Sequence, residues 1–459
     1  MRITLGKPMT IAEIAIASNG RYQCNYPSLI THISTDSREC ENKDLFIALK
    51  GESFDGSDYA LDAKRKGAYV LSNVKSVSDI YHPDTRVALL NLASNYIKTL
   101  PYILYRIGIT GSVGKTTTKE FAKILLSKAF VTHASEGNFN NNIGMPLSIL
   151  QAKEDTQILL MEMGMNSQGE ISRLAKCLCP NIALITNIGS AHIGKLGSRE
   201  KIAKAKLEIL DGIDDGILLC PLEEKLLSHV KNKECFSLSD DNAEYYLRQV
   251  YDRQIEVYKN RLKYCDSFFA LTELHHRFCL SAACAIAMKV GLEPSQLSYG
   301  ISRISRHNTR QRVFYNEKCY FHCDCYNASR ESVLSALLEF EKADFEGEKN
   351  LILGDILELG DMNEAIHFEI GKAISKDKIN NLFLFGNSAE IVKLGAVTNG
   401  FPADRIFTNT DLNSPHVTAE QITEHMSLGD HFLLKASRGI RLERILDYFD
   451  IKESEANNE

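Results

Sequence analysis

Residues 110–118 read Thr-Gly-Ser-Val-Gly-Lys-Thr-Thr-Thr, directly after the apolar run Tyr102 to Ile109 and directly before a helix-like stretch, Lys119 to Phe130. A strand, a tight glycine turn and a helix start gather backbone N–H groups and a helix N-terminus around an anion. In such a loop Gly111, Ser112, Val113 and Gly114 form the cradle, continued by Lys115, Thr116 and Thr117. Lys115 is expected to neutralise the β- and γ-phosphates of a nucleotide, and the Thr116 hydroxyl to sit on its Mg²⁺. The usual pattern carries an earlier glycine where this chain has Ile109, so the loop shortens to Gly-x-x-Gly-Lys-Thr.

Working outward, apolar strands alternate with amphipathic helices from residue 103 to about 310. Ile158 to Met161, Ile182 to Thr186 and Gly216 to Cys220 read as buried strands, and Ser198 to Leu210 as a helix. That alternation signals a mostly parallel sheet with helices on both faces. Before it, residues 33–38 and 45–56 read as strand ends followed by polar loops, and Val87 to Thr99 as a helix. After it, Asn350 to Leu353, Leu382 to Phe385 and His431 to Lys435 are strand-like runs of a further, smaller α/β unit. The chain therefore reads as α/β throughout, in three domains: 1–101, 102–309 and 310–459. The polar tail Lys452 to Glu459 reads as disordered.

Polar residues recur where these strands end, and in open α/β sheets ligands bind outside the carboxyl ends of the strands. Glu162 follows a buried run; a carboxylate there suits a cation better than stability, because an unpaired buried charge is costly. His192 closes the next such segment, Thr186-Asn-Ile-Gly-Ser-Ala-His192. Asn138-Phe-Asn-Asn-Asn-Ile-Gly-Met-Pro146 is a loop whose amides suit a polar substrate, and it also reads as a plain asparagine-rich turn. Lys206, on a helix, looks like a surface lysine on composition alone. In the last third, Asp324-Cys-Tyr-Asn-Ala328, Gly354-Asp-Ile-Leu-Glu-Leu-Gly360 and Lys435-Ala-Ser-Arg438 form another ligand-facing rim.

Composition narrows the class. A net charge of −6 argues against a general nucleic-acid binder. No run of about 20 apolar residues is present to span a membrane, and Arg2, Lys7 and Glu13 interrupt any signal-peptide core, so a cytoplasmic protein is expected. The cysteines are scattered without a Cys-x-x-Cys pair and read as buried thiols. Cys319, His322, Cys323 and Cys325 are ligand-type residues, but the segment Cys319 to Asp324 reads as a buried strand, whose neighbouring side chains point to opposite faces.

Taken together, the segments from Thr35-Asp-Ser-Arg38 to Lys435-Ala-Ser-Arg438 resemble the Mur ligases, ATP-dependent amide-forming enzymes of peptidoglycan synthesis. The resemblance implies a UDP-sugar-binding domain, a central ATPase domain and a C-terminal domain closing over the nucleotide. It implies UDP-N-acetylmuramoyl-tripeptide, D-alanyl-D-alanine and ATP as substrates, Mg²⁺ as cofactor, an acyl-phosphate intermediate and a monomer. Residue by residue, it makes Lys115, His192 and Lys206 catalytic and places Mg²⁺ on Thr116, Glu162, His192 and a carbamylated Lys206. His275, Arg310 and Asp324 would reach the nucleotide. Ser34, Thr35, Asp36, Ser37 and Arg38, with Lys50 and Gly51, would hold the UDP moiety. Asn138, Asn140, Asn141, Asn142, Tyr326, Asn327, Lys435, Ser437 and Arg438 would face the remaining substrate. The chain departs from the family at His276 and Cys279, where asparagines are usual near the adenine, at Arg330 in place of proline, and at Ala436 in place of glycine. Two other readings stay open at this stage: a related ligase for another carboxylate and amine pair, and a non-catalytic nucleotide-binding paralogue.

Overall fold

A computed structural model describes residues 1–23, 27–51, 54–305 and 312–453. Three β-sheets follow one another along these residues. The first has six strands, with Leu29–Ser34, Leu45–Ile47, Tyr69–Ser72 and Ile80–Tyr81 running parallel. Arg2–Thr10 and Arg21–Tyr22 flank them antiparallel.

The second sheet has nine strands. Seven run parallel: Thr132–Ala134, Ile158–Glu162, Tyr105–Thr110, Ile182–Ile185, Ile217–Pro221, Lys233–Ser237 and Tyr245–Tyr251, in that spatial order. Alternating side chains separate onto two buried faces, the mark of a parallel core sheet. Leu159, Met161, Ala183 and Ile185 enter one apolar cluster, whereas Ile158, Leu160, Ile182 and Leu184 enter another. The helices Lys115–Leu126, Leu274–Val290 and Pro294–Ser302 cover the second face. Beyond Tyr245–Tyr251 the sheet continues as an antiparallel ribbon, Gln254–Lys259 and Leu262–Phe268, which the expected strand–helix alternation does not include.

The third sheet has seven strands, five of them parallel, including Lys349–Gly354, Leu382–Phe385, Tyr320–Asp324 and His431–Lys435. Here the tail corrects the sequence reading: Lys452–Glu453 pair with Arg312–Tyr315 as an edge strand, while residues 454–459 lie outside the described residues. The boundary expected at 309/310 also lies outside them. Among the described residues no helix is long and apolar enough to cross a membrane, and the cysteines are free thiols. Cys319 is buried with its thiol 3.6 Å from the Ser427 carbonyl, and His322 lies 2.9 Å from His431, as a strand with divided faces requires.

Candidate active site

The strand Tyr105–Thr110 delivers the chain to a loop at residues 111–114, and Gly114, with φ 83°, caps the helix Lys115–Leu126. That helix starts four residues earlier than its apolar pattern suggests, because the left-handed glycine turns the chain directly into it. Gly111 admits no side chain, since a Cβ there would lie 1.8 Å from Thr186 Oγ1. The loop is braced from behind by the next strand end. Val113 N–H donates to Asn187 Oδ1 (3.0 Å), Gly189 N–H to Ser112 Oγ (2.8 Å), and Thr186 Oγ1 to the Val113 carbonyl (2.6 Å). Lys115 Nζ meanwhile donates to the Gly111 carbonyl at 2.8 Å. Backbone donors, a helix N-terminus and an ammonium thus share one short loop.

Beside it lies a buried polar cluster. Glu162, 2% exposed, accepts from Thr116 Oγ1 (2.6 Å) on one oxygen and from Asn140 Nδ2 (2.8 Å) on the other. Its backbone N–H donates to Ser135 Oγ, and Ser135 in turn offers its carbonyl to the buried Lys119. Lys206 is not the surface residue its composition suggests: it is 2% exposed. Burial, aided by the charge of Lys115, lowers its pKa well below the ordinary lysine value. Burial likewise pulls the His192 imidazole below the usual histidine value; Glu358 opposes this, and Lys115 and Lys206 reinforce it. Three basic side chains from three segments therefore crowd one spot, and burial together with their mutual repulsion disfavours the charged forms of Lys206 and His192.

The C-terminal sheet supplies the opposite wall. Asp324 and Lys435 are register partners at neighbouring strand ends and form an ion pair at 2.8 Å, with Lys435 also donating to the Asn327 carbonyl at 2.8 Å. Between the two walls is a cavity of about 440 Å³, within the size range of small-ligand sites. Ser112 to Thr117, Asn140, Glu162, His275, Asp324, Tyr326, Asn327 and Lys435 line it, so residues named from separate stretches of sequence meet there. A second cavity of about 240 Å³ adjoins it along Asn327 to Ser329 and takes in His192, Ser437 and Arg438.

The departures cluster at one end. His276 and Cys279 are buried on the helix Leu274–Val290 and line the first cavity with Phe278 and Leu238. Burial lowers the His276 pKa and pushes the Cys279 thiol up to about 12, so both face this end neutral at physiological pH. Arg330 opens the helix Arg330–Lys342 and is ion-paired with Glu369. The other predicted residues sit elsewhere. Ser34, Thr35, Asp36, Ser37, Arg38, Lys50 and Gly51 lie on the first domain and line neither cavity. There Arg38 holds the Asp36 carboxyl well below the usual range. Asn141 caps the Ile143 and Gly144 N–H groups, Asn138 is exposed, and Asn142 Oδ1 is buried without a partner. Arg310 falls outside the described residues.

Three carboxylates join the domains; sequence reasoning missed Glu331 and Glu339, and named the segment of Glu358 only as part of a ligand-facing rim. Glu331 accepts from Ser190 N–H (3.0 Å) and Ser190 Oγ (2.9 Å). Glu339 accepts from His275 Nδ1 at 2.7 Å. Glu358 accepts from His192 Nδ1 and Lys195 Nζ, both at 2.6 Å. Burial works to raise the Glu358 pKa, but Lys195 and His192 together hold it lowered. Glu331 and Glu339 sit on an ordinary amphipathic helix and leave no local signal.

This architecture has relatives. Residues 29–98 match the Mur ligase family catalytic domain and residues 109–275 the Mur ligase middle domain. UDP-N-acetylmuramoyl-tripeptide–D-alanyl-D-alanine ligase of Bacillus subtilis (strain 168) is 36% identical over 433 residues, 92% of this chain and 93% of that one. The protein of the same name from Rickettsia prowazekii is 31% identical over 463 residues, 96% of this chain and 99% of its own. Among solved structures, a MurF from Acinetobacter baumannii superposes with a TM-score of 0.86 at 26% identity, covering 97% of this chain and 99% of its own. MurF ligase from Thermotoga maritima, in complex with ADP, does so with a TM-score of 0.78 at 26% identity, over 91% and 96%. The chain belongs to the Mur ligase family. Within that family, the relatives just named are all of the type that takes D-alanyl-D-alanine or bears the MurF name.

Proposed function

We propose that this protein is an ATP-dependent, ADP-forming ligase of peptidoglycan precursor synthesis, joining D-alanyl-D-alanine to UDP-N-acetylmuramoyl-tripeptide. It acts in the cytoplasm as a monomer, with units at 1–101 for the UDP-sugar, 102–309 for ATP and 310–459 for closure. One observation carries this reading: the Lys115 loop, the Thr116–Glu162 pair and the Asp324–Lys435 pair, from two different sheets, converge on one cavity.

The donor set fits Mg²⁺. Thr116 Oγ1 and Glu162 Oε2 are hard oxygens already 2.6 Å apart, and Asn140 steadies the second carboxylate oxygen. Burial lowers the Lys206 pKa and so favours the unprotonated amine, which adds CO₂ with loss of a proton; the carbamate would supply an anionic oxygen ligand beside His192. When bound, Mg²⁺ neutralises charge on the phosphates.

The chain's own residues do the rest by position and field. The tripeptide's terminal carboxylate attacks the γ-phosphorus, the bond to the ADP oxygen breaks, and Lys115 stabilises the transferring phosphoryl group. The amine of D-alanyl-D-alanine then adds to the acyl-phosphate carbon, loses a proton, and expels phosphate from the tetrahedral intermediate. His275, Asp324 and Arg310 hold the nucleotide. Ser34, Thr35, Asp36, Ser37, Arg38, Lys50 and Gly51 hold the UDP moiety. The Asn138–Asn142 run and the Tyr326, Asn327, Lys435, Ser437 and Arg438 rim hold the peptide parts.

The test is a substrate panel. Phosphate release from ATP is expected only when UDP-N-acetylmuramoyl-tripeptide and D-alanyl-D-alanine are both present. Release with a different carboxylate and amine pair, and none with this one, reassigns the substrates. No release with any pair leaves a nucleotide-binding protein without ligase activity.

A further inference from the structure

We propose that Glu358 is a positioning residue of this site: carried by the C-terminal domain, it fixes the His192 ring with Nδ1 as donor, leaving the lone pair on Nε2. The inference rests on the reading of His192 as a site residue and adds the group that orients it. Nδ1 of His192 lies 2.6 Å from Glu358 Oε2, and the second oxygen is taken by Lys195 at 2.6 Å, so both carboxylate oxygens are engaged. Both residues line the second cavity.

The backbone is shaped for this contact. His192 and Glu358 have φ of 65° and 64°, left-handed conformations that side-chain-bearing residues rarely hold without compensation. Between them the chains touch directly. Gly194 N–H donates to the Glu358 carbonyl at 3.1 Å, and a Cβ on Gly194 would lie 2.4 Å from the Gly360 nitrogen. Two strained residues and two bare backbones meeting across a domain boundary point to a junction built to deliver one carboxylate to one imidazole.

The chemical consequence is general. Which imidazole nitrogen carries the proton is set by the hydrogen bond the other makes, and carboxylate partners of ligating histidines fix ring and tautomer together. His192 follows the strand Ile182–Ile185 of the central sheet, whereas Glu358 follows Lys349–Gly354 of the third. The tautomer is therefore set only when the two domains are apposed, and the site is completed by closure.

The experiment compares Glu358→Ala, Glu358→Gln and Lys195→Ala in the full chain, with Mg²⁺ and a non-hydrolysable ATP analogue. Nitrogen NMR of histidine-labelled protein, with His192 assigned by a His192→Gln difference, reads the protonated nitrogen. Glu358→Ala is expected to move the His192 proton from Nδ1 toward Nε2 and to lower kcat about 10–100-fold. Its KM for ATP is expected to change less than about threefold, because the contact orients a group rather than binding nucleotide. Glu358→Gln, which still accepts from Nδ1–H, keeps the wild-type nitrogen pattern. Lys195→Ala breaks the same ion pair without touching the ring and costs no more than about fivefold. An unchanged nitrogen pattern or an unchanged kcat in Glu358→Ala overturns the proposal. So does a Lys195→Ala loss as large as that of Glu358→Ala, which would mark a mere latch. An inactive wild type with the Nδ1–H pattern intact would count against the ligase reading and not against this one.

Discussion

The two domain junctions of this protein are built from different materials. Between the first and central domains the junction is apolar: Ile3, Leu89, Leu92, Leu150 and Leu174 belong to a single buried cluster. Besides the ion pair of Lys7 with Glu154 at 2.9 Å, polar contacts there run to backbone carbonyls. Tyr96 Oη donates to the Ala152 carbonyl at 2.7 Å, and Gly6 N–H to the Leu150 carbonyl at 2.9 Å. Between the central and C-terminal domains, the side-chain hydrogen bonds are carboxylates reaching histidine, serine and lysine: Glu331 to Ser190, Glu339 to His275, Glu358 to His192 and Lys195. Parting an apolar junction exposes hydrocarbon to water, whereas parting a polar one exchanges protein partners for water at small net cost. The first two domains are thus expected to move as one body, with the third as the part that opens.

The largest effect is expected on the glycine loop of the central domain. Lys115→Ala should lower kcat by about 10²–10³-fold, the usual loss when one electrostatic stabiliser of a transition state is removed. Because the loop is braced by Asn187, Ser112 and Thr186, the melting temperature should hold. A large drop in melting temperature would mean that the lysine braces the loop instead of serving the substrate. Next comes Glu331→Ala, which removes both bonds to Ser190. Hydrogen bonds to a charged group contribute about 1.5–3 kcal/mol, so kcat/KM should fall roughly 10–100-fold while thermal stability stays near wild type. Small-angle scattering of this variant should show a more extended particle even with nucleotide bound. A compact profile would remove the distinction between the two junctions.

What the sequence disclosed follows the same division. Strand, glycine loop and helix are local features, so Gly111 to Thr116 were legible, as were the apolar runs of the central sheet and the polar residues at their ends. The ribbon Gln254–Lys259 and Leu262–Phe268 was not, because an edge ribbon with one wet face lacks a continuous apolar run. Lys206 misled for the opposite reason: a lysine inside a helix reads as solvated, and only the tertiary fold buries it. Glu331 and Glu339 were invisible because contacts between residues 141 and 64 positions apart leave no periodicity. A family resemblance singled out Lys206 where physical pattern did not.

The apolar junction can be attacked directly at Gly6, where a Cβ would lie 2.0 Å from the Ala152 carbonyl oxygen. Gly6→Val suits a strand, so its cost comes from that clash alone, about 1–3 kcal/mol as for other overpacked interiors. The loss should appear in one cooperative transition spanning both domains, measured by calorimetry. Two separated transitions, with the first domain melting alone, would show that the shared core does not couple them.

Lys206 gives the smallest expected effect and sharpens what the central domain holds before closure. Its folded pKa lies below the unfolded lysine value, so between the two the unfolded chain binds one more proton. Stability therefore rises with pH across that window, by at most about 1.4 kcal/mol per pH unit, and is flat below the folded pKa. Lys206→Met removes the titrating group and keeps an apolar side chain in its place. In bicarbonate-free buffer the variant should be more stable than wild type at neutral pH, and the gap should narrow as pH rises toward 10. Added bicarbonate should then stabilise the wild type alone, because a carbamate places an anion beside the Lys115 ammonium. Parallel pH profiles, or an equal response of both proteins to bicarbonate, would show that the buried amine is neutralised by some other contact and is not held ready for reaction.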